Sequence, residues 1–492
     1  MSAETEEKPH WATEILGVDL RSLAVLRICL GFILVFDLVL RARDMGAHYT
    51  DWGLLPRAGL LELGWEPAWI SVHMASGHWL FQAFLFLFAG VCSAAVMVGY
   101  RTSLATFLAW LMLVSLQSRN PVILNGGDVM LRVVLFWCMF LPWGARWSVD
   151  ARSNPSWEKL PQHVYSAATV AYLVQICLIY IFAALLKTGP HWRTEGTAVY
   201  YALSLDQFTR YIGKWLLHYP GLMKFLTYAT WWFEALVPLM LVFPLLNGPL
   251  RTLGVLGITV MHLGFGACMH IGVFTMIASA TAFGLLPAWF WDRLGALRWK
   301  APGWLKGLHG PESLEPGGWR LGWPTSMALA LLTVYVIVWN IGTMANARLR
   351  VPRSVRCVGI FLHLDQAWNM FAPYPLTEDG WYVIEAHLRN GEKVDLFRGG
   401  EKVTWDKPEW VSATYPNERW RKYMMNLWMR DYSRYRLYYG RYLCRSWNGS
   451  HPYDRQVTTF KIYFMLENTL PNYQTAPIEK VELWSHDCFR AD

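Results

Sequence analysis

Six ionisable side chains stand where their neighbours are apolar enough for lipid. They are Arg27 and Asp37 in RSLAVLRICLGFILVFDLVLR, Asp128 in NGGDVMLR, Lys187 in YIFAALLKTGPHW, Glu234 in TYATWWFEALVP and His262 in TVMHLGFGACMHIGVFTM. A charge at that depth is paired, reaches water along its own stem, or is chemically employed. Lys187 ends an apolar run, so it reads either as a snorkelling lysine or, in a desolvated polar cluster, as a neutral amine able to act as general base. Glu234 is a carboxyl in an aromatic stretch, either neutral and structural or poised to handle protons. Asn125, Gly126, Gly127 and Asp128 form either a helix-capping turn or the wall of a pocket.

His262 and His270 are eight residues apart, which is not the helical i, i+4 spacing of a metal pair, and no third ligand accompanies them. No metal is expected, and His262 reads as a hydrogen-bonded histidine beside a polar pocket. Gly264, Gly266 and Gly272 indicate tight packing or a broken helix, which a membrane tolerates around a buried cavity. Arg27 and Asp37 lie roughly 15 Å apart along a helix, too far to pair. Each needs a partner on another helix, and Asp128 for Arg27 and Arg132 for Asp37 are the candidate structural ion pairs.

These residues need a membrane scaffold, and the composition supplies one. A chain of 492 residues with 54% hydrophobic and 16% charged residues is too apolar for an ordinary soluble protein. Its 29 Trp and 23 Tyr suit lipid-water boundaries. The net charge of +8 is spread along the chain. It favours anionic headgroups, and no nucleic-acid motif is present. The start, MSAETEEKPHWATE, lacks the basic and apolar regions of a signal peptide.

Apolar windows near the bilayer-crossing length predict nine spans, around 22–41, 79–99, 104–118, 128–142, 164–186, 224–246, 250–268, 271–290 and 325–344. Basic loops containing Arg101, Arg146, Arg152, Lys159, Arg251, Arg293, Arg298, Lys300, Lys306 and Arg320 place the N-terminus in the cytoplasm. An odd number of spans then puts Lys187 and the C-terminus outside. The loops RARDMGAHYTDWGLLPR and RTEGTAVYYALSLDQFTRYIGKW are amphipathic and are expected to lie in the interface. From about 345 the chain alternates apolar and polar residues in WYVIEAHL, EKVDLFRG, TTFKIYFML and KVELWSH, with a hairpin signal at Asn390-Gly391. The expected organisation is a tail over 1–21, a polytopic α-helical membrane domain over 22–344, and a β-rich outer-face domain over 345–492 with one or two helices. Of the polar cysteines, Cys444 and Cys488 can join, although spacing does not dictate it.

Several of these segments, in this order, resemble the HTTM membrane proteins, a family that includes vitamin K-dependent γ-carboxylase. The matching stretches are SLAVLRICLGFILVFD, VMVGYRTS, RWSVD, YIFAALLKTGPHW, HLGFGACMHIGVF, QAWNMFAP and WYVIEAHLRNGEKVDLFRGG. The resemblance implies that Lys187 is the base that deprotonates a reduced naphthoquinone, vitamin K or menaquinol. Oxygen then converts the quinol into a stronger base that removes a γ proton from a peptide glutamate, and carbon dioxide adds to the carbanion. It further implies a site lined by His262, Glu234, Asp128 and Asn125, with Trp368, Asn369 and Met370 as a lid. The carboxylase has an Asn-Asn-His stretch before its fourth span, whereas this chain has Asn125-Gly126-Gly127-Asp128, so the family's catalytic histidine is missing.

The expected protein is a multi-pass enzyme of a bacterial inner membrane acting on an exported peptide with a lipid quinone. The alternative is a non-catalytic membrane protein that aids the maturation or export of a peptide. Asp128 discriminates between the two, since a substitute for the histidine must face the cavity of Lys187.

Overall fold

The computed structural model describes residues 11–66, 69–157, 160–296, 319, 321–472 and 474–489. The expected basic residues Lys159, Arg298, Lys300, Lys306 and Arg320 lie outside that set. Helix α1 (Leu20–Ala42) starts where the Asp19 side chain accepts the Arg21 N–H. It packs on α2 (Trp79–Val98), which turns through Gly99 in the left-handed region into α3 (Thr102–Arg119). A short helix, α4 (Gly126–Cys138), follows, then α5 (Ala167–Leu186), whose first turn is closed by reciprocal Ser166 and Thr169 bonds.

Helix α5 is the most buried of the long apolar helices and contacts α4, α6 (Pro220–Val242) and α10 (Trp323–Ile341). Between the last two lie α7 (Asn247–Cys268), α8 (Phe274–Phe283) and α9 (Ala288–Ala296).

Six of these helices, α1, α2, α5, α6, α7 and α10, are long and apolar enough to cross a membrane, and α8 with α9 makes a seventh if a pair bent by 85° is one span. Nine crossings are therefore not reached. The 13 residues of α4 reach only about 20 Å, against a hydrocarbon core of roughly 30 Å, so α4 lies inside the bundle as a buried half-span. Helix α3 has 18 residues but carries polar Gln117, Ser118 and Arg119 at its buried end.

The C-terminal part is the expected mixed domain. Strand β1 (Glu378–Leu388) pairs antiparallel with β2 (Lys393–Asp395) through the Asn390-Gly391 turn, where Gly391 takes a positive φ of 86°. On its other edge β1 pairs with β3 (Val457–Leu470), with Ile384 opposite Ile462. Strand β3 pairs in turn with β4 (Gln474–Thr475) and β5 (Glu479–Asp487). Helices α11 (Glu418–Trp428) and α12 (Tyr435–Ser450) come from the arginine-rich stretch, and a Cys444–Cys488 disulfide ties α12 to the end of the sheet.

The two amphipathic loops do more than lie at an interface, because they form the seat of this domain. Asn417 Nδ2 donates to Asp44 Oδ2 at 2.6 Å, Tyr200 Oη donates to the Leu470 carbonyl at 2.9 Å, and Ser412 Oγ donates to the Thr209 carbonyl at 3.2 Å.

One seat contact titrates. Asp379 on β1 accepts the Asp206 N–H at 2.5 Å and the Gln207 side-chain N–H at 3.0 Å. Asp206 is itself paired with Lys214 and Lys407, and Lys407 also with Glu467. Burial, then the Asp206 charge, pushes the Asp379 carboxyl up to about 7 from its ordinary 3.8. The folded state thus holds a proton that the unfolded chain releases, so stability from this group is present at low pH and is lost as pH rises from about 4 to about 7. Asp379→Asn removes that slope. Measured as thermal unfolding against pH, the variant gains on the wild type by roughly 2–4 kcal/mol between pH 4 and 8. An unchanged difference at all pH values would reject the assignment.

Candidate functional site

Lys187 is the residue at which α5 ends, and Gly189-Pro190 turn the chain away behind it. The side chain goes inward. It is 3% exposed, its Nζ lies 2.5 Å from Glu234 Oε2, and it stands over the Trp192 ring at 4.9 Å. A snorkelling lysine has its ammonium in water, so that reading fails. Glu234 owes its place to α6, where Pro238 sits one turn later inside the helix. Proline has no N–H to bond the Glu234 carbonyl, so the helix lacks that backbone bond beside the carboxyl.

His262 on α7 completes a wall of this pocket. Its Nδ1 lies 2.9 Å from the Ile258 carbonyl, so Nδ1 carries the proton and Nε2 keeps a lone pair. Tyr180, Phe265 and Phe274 surround the imidazole edge to face at 6.1, 5.7 and 5.3 Å. His262 meets α5 through the ring of Tyr180, on the same helix that Lys187 ends. Tyr180 Oη is buried without a hydrogen-bond partner among the described residues. The set is Lys187, Glu234, Tyr180 and His262 in an aromatic box. Tyr180 of this set, and Trp192 beside Lys187, were not singled out as functional from sequence, though both are aromatics of the Lys187 stretch.

The expected lid is only partly a lid. Trp192 Nε1 donates to the Phe371 carbonyl at 2.8 Å and the Gly189 N–H donates to the Pro373 carbonyl at 2.9 Å, so the segment after Asn369 does cover the turn of Lys187. Met370 lies over Gly126 at the start of α4, where an added Cβ would come within 2.7 Å of its sulfur. Trp368, however, is a core residue bonded to Gln366, and Gln366 in turn meets Gln175 of α5. Asn369 is exposed, with its backbone carbonyl accepting from Ala372.

Asp128 is not turned towards Lys187. Asn125 caps α4, accepting the Gly127 N–H at 2.8 Å and also bonding Asp128 N–H, while Asp128 Oδ2 accepts the Asn125 N–H, also at 2.8 Å. Beyond that box Asp128 is gripped by Arg41 and by both terminal nitrogens of Arg419 on α11. Asp37 joins the same cluster, 2.6 Å from Arg41 and 3.1 Å from Arg419.

The sequence-derived ion pairs are corrected accordingly. Arg27 meets no carboxylate within bonding distance among the described residues. It donates to the carbonyls of Val96 and Met97 at the end of α2 and of Trp143, Arg146 and Trp147 in the loop after α4. Carbonyls at a helix end and in a loop lack a full set of backbone donors, which is why a guanidinium serves there. Arg132 pairs with Asp365 instead of Asp37.

No group of three or more His, Cys, Asp or Glu that can hold a metal occurs among the described residues. A family model, the HTTM domain, matches residues 17–289, more than half of the chain. No curated protein and no solved structure matches the chain.

Proposed function

This chain belongs to the HTTM-domain family, and from that premise we propose that it is a quinol-dependent membrane enzyme that abstracts a proton from a peptide glutamate and carboxylates it, or makes a related modification. The single observation that carries the reading is the buried Lys187–Glu234 pair facing an aromatic box. A reduced naphthoquinone with oxygen supplies the strong base in this chemistry, and carbon dioxide is the electrophile.

The residues present suit such a group. The surroundings are aromatic, the Tyr180 phenol is buried without a partner among the described residues, and His262 Nε2 offers an acceptor. Lys187 is the proton acceptor, and Glu234 takes the proton from its nitrogen and returns the amine to its basic form. Trp192 and the Phe371–Pro373 segment keep water from the nitrogen. His262 orients a quinol hydroxyl. Asn125 stays a helix cap near the lid, and Asp128 holds the C-terminal domain. With the bent pair counted as a crossing, the spans are odd in number. An odd number puts the two ends on opposite faces, which agrees with the reading from the basic loops of a cytoplasmic N-terminus and a C-terminal domain on the outer face of a bacterial inner membrane, where an exported peptide is met.

The second reading, a non-catalytic protein that secures an exported peptide, is favoured by one observation. The capping box Asn125–Asp128 occupies the stretch where the carboxylase has its histidine. The assay that separates them uses purified full-length protein with reduced menaquinone or vitamin K, oxygen, labelled bicarbonate and a glutamate peptide. Quinone epoxide together with label in the peptide is the expected result. No quinol turnover by the wild type favours the non-catalytic reading, and epoxide without label places the chemistry on another substrate.

A further inference from the structure

Helix α10 has 19 residues, a rise of about 28 Å, which matches a hydrocarbon core of roughly 30 Å. Beyond it the stretch ARLRVPRSVRCVGIF carries Arg348, Arg350, Arg353 and Arg356, and its second part is a short helix, Arg353–Phe361. This helix folds back on the end of the span. The Gly359 N–H donates to Tyr335 Oη at 3.0 Å, Tyr335 Oη donates to the Val355 carbonyl at 3.2 Å, and the Arg356 guanidinium lies 5.5 Å from the Trp339 ring centroid. The close approach needs glycine, since a Cβ on residue 359 would come within 2.5 Å of Tyr335 Oη. Tyr335 stands six residues before Ile341, the last of α10, so the short helix meets the span within roughly 9 Å of its end.

The free side of this helix is apolar. Val355, Val358 and Phe361 recur at every third position and so share one side, and all three are exposed, as is Leu349 just before the helix. Exposed apolar side chains held against the end of a membrane span are covered by acyl chains. Arg353 and Arg356 are also three apart and fall on roughly the opposite side.

The charges have no counter-charge in the protein. Arg348, Arg350 and Arg353 are exposed and make no side-chain hydrogen bond or ion pair among the described residues. The carboxylate nearest in sequence, Asp365, is committed to Arg132 at 2.9 Å. Free guanidiniums beside an apolar helix face match a surface that is acidic at the level of the headgroups and oily beneath them.

We propose that residues 348–361 form a binding site for anionic phospholipid, with Val355, Val358 and Phe361 among the acyl chains and Arg348, Arg350 and Arg353 on the headgroup phosphates. Arginine suits the phosphate because its fork donates two N–H groups at once, and its stem reaches from the acyl boundary to the headgroups. Arg356 holds the helix on Trp339 and is left out of the lipid contacts. The site makes no use of Lys187, so it stands whether or not the protein turns over a quinol.

The test uses the full-length protein in detergent, with phosphatidylglycerol and phosphatidylcholine of identical chains as probes and bound lipid counted by native mass spectrometry. Phosphatidylglycerol is expected to be retained in preference to phosphatidylcholine. Each of Arg348→Gln, Arg350→Gln and Arg353→Gln is expected to lower that preference about fivefold, and the triple variant to erase it. Lysine at the same three positions keeps part of the preference, because the charge remains. Val358→Ser lowers the retention of both lipids alike. Without added lipid the glutamine variants melt at the wild-type temperature, since the replaced side chains hold nothing within the protein.

Equal retention of the two lipids by the wild type, or a preference that survives the triple variant, would overturn the inference. So would a fall in melting temperature for the glutamine variants, which marks arginines that hold the fold. Two competitors are added at the concentration of the lipid. Inorganic phosphate that displaces phosphatidylglycerol in an arginine-dependent way would make this a site for a free anion. A polyglutamate peptide that does the same would make it a docking surface for an acidic protein, and either result overturns the lipid assignment.

Discussion

Replacing Lys187 by arginine lowers quinol turnover by about a hundred- to ten-thousand-fold, the range that a positioned general base contributes, while the protein still folds. Arginine keeps a positive charge opposite Glu234 and so preserves whatever the ion pair does for the fold, but it does not deprotonate and cannot serve as a base. Lys187→Ala is the harsher variant. It leaves the Glu234 carboxyl buried without its partner, and breaking such a pair costs about 3–5 kcal/mol. Its melting temperature falls along with its activity, so alanine alone does not separate a base from a structural pin.

The arginine variant does separate them, with epoxide formation read by chromatography and folding by thermal shift. Turnover retained in Lys187→Arg would remove the base from this residue. A loss in both variants, with folding retained in the arginine form, is the outcome that the buried 2.5 Å contact leads us to expect. Glu234→Gln gives the converse perturbation. The amine then lacks the carboxylate that accepts its proton, and turnover falls although the lysine itself is retained.

What could be read from residues alone depended on whether the informative partners lay close in the chain. Alternation in WYVIEAHL and TTFKIYFML placed β1 and β3, because period two needs only a few residues to show. Apolar windows located the six crossing helices for the same reason. They overcounted at 128–142, where α4 ends at Cys138 after 13 residues, since hydropathy does not report where a helix stops.

The polar pocket was legible as a set of types, namely Lys187, Glu234 and His262. The pairing of Lys187 with Glu234 across 47 positions was not. The Asp37–Arg41 contact was visible in principle as an i, i+4 pair on one helix. Nothing local marks Arg419, because its partner Asp128 is 291 positions away and the two meet only when the C-terminal domain docks. The amphipathic loops were recognised as interfacial, but a seat for protein and a seat for lipid look alike in composition.

That docking contact carries the second large effect. Asp37 and Asp128 bring two negative charges, Arg41 and Arg419 two positive ones, and all four are buried. Three of the four residues belong to the membrane bundle, and Arg419 alone comes from the C-terminal domain. Arg419→Ala therefore leaves two carboxylates sharing one guanidinium in a dry interface, and the expected loss is about 3–5 kcal/mol.

Conservative removal of charge on both sides limits the damage. Arg419→Met combined with Asp37→Asn keeps Asp128 paired with Arg41 and restores neutrality, so the double variant is more stable than Arg419→Met alone. The coupling between the two sites, read from a double-mutant cycle of thermal unfolding, is expected to exceed about 1 kcal/mol. Additive effects would mean that Arg419 is held by its bond to the Ile123 carbonyl and not by the carboxylates.

The same cluster ties function to docking, because Asp128 lies in the capping turn of Asn125, and Asn125 faces Glu418 on α11, next to Arg419. Loosening Arg419 shifts that helix relative to the lid over Lys187. The Arg419 variant is thus expected to lose quinol turnover together with stability, read as epoxide formation beside thermal shift, whereas Lys187→Arg, confined to the membrane bundle, loses turnover with folding retained.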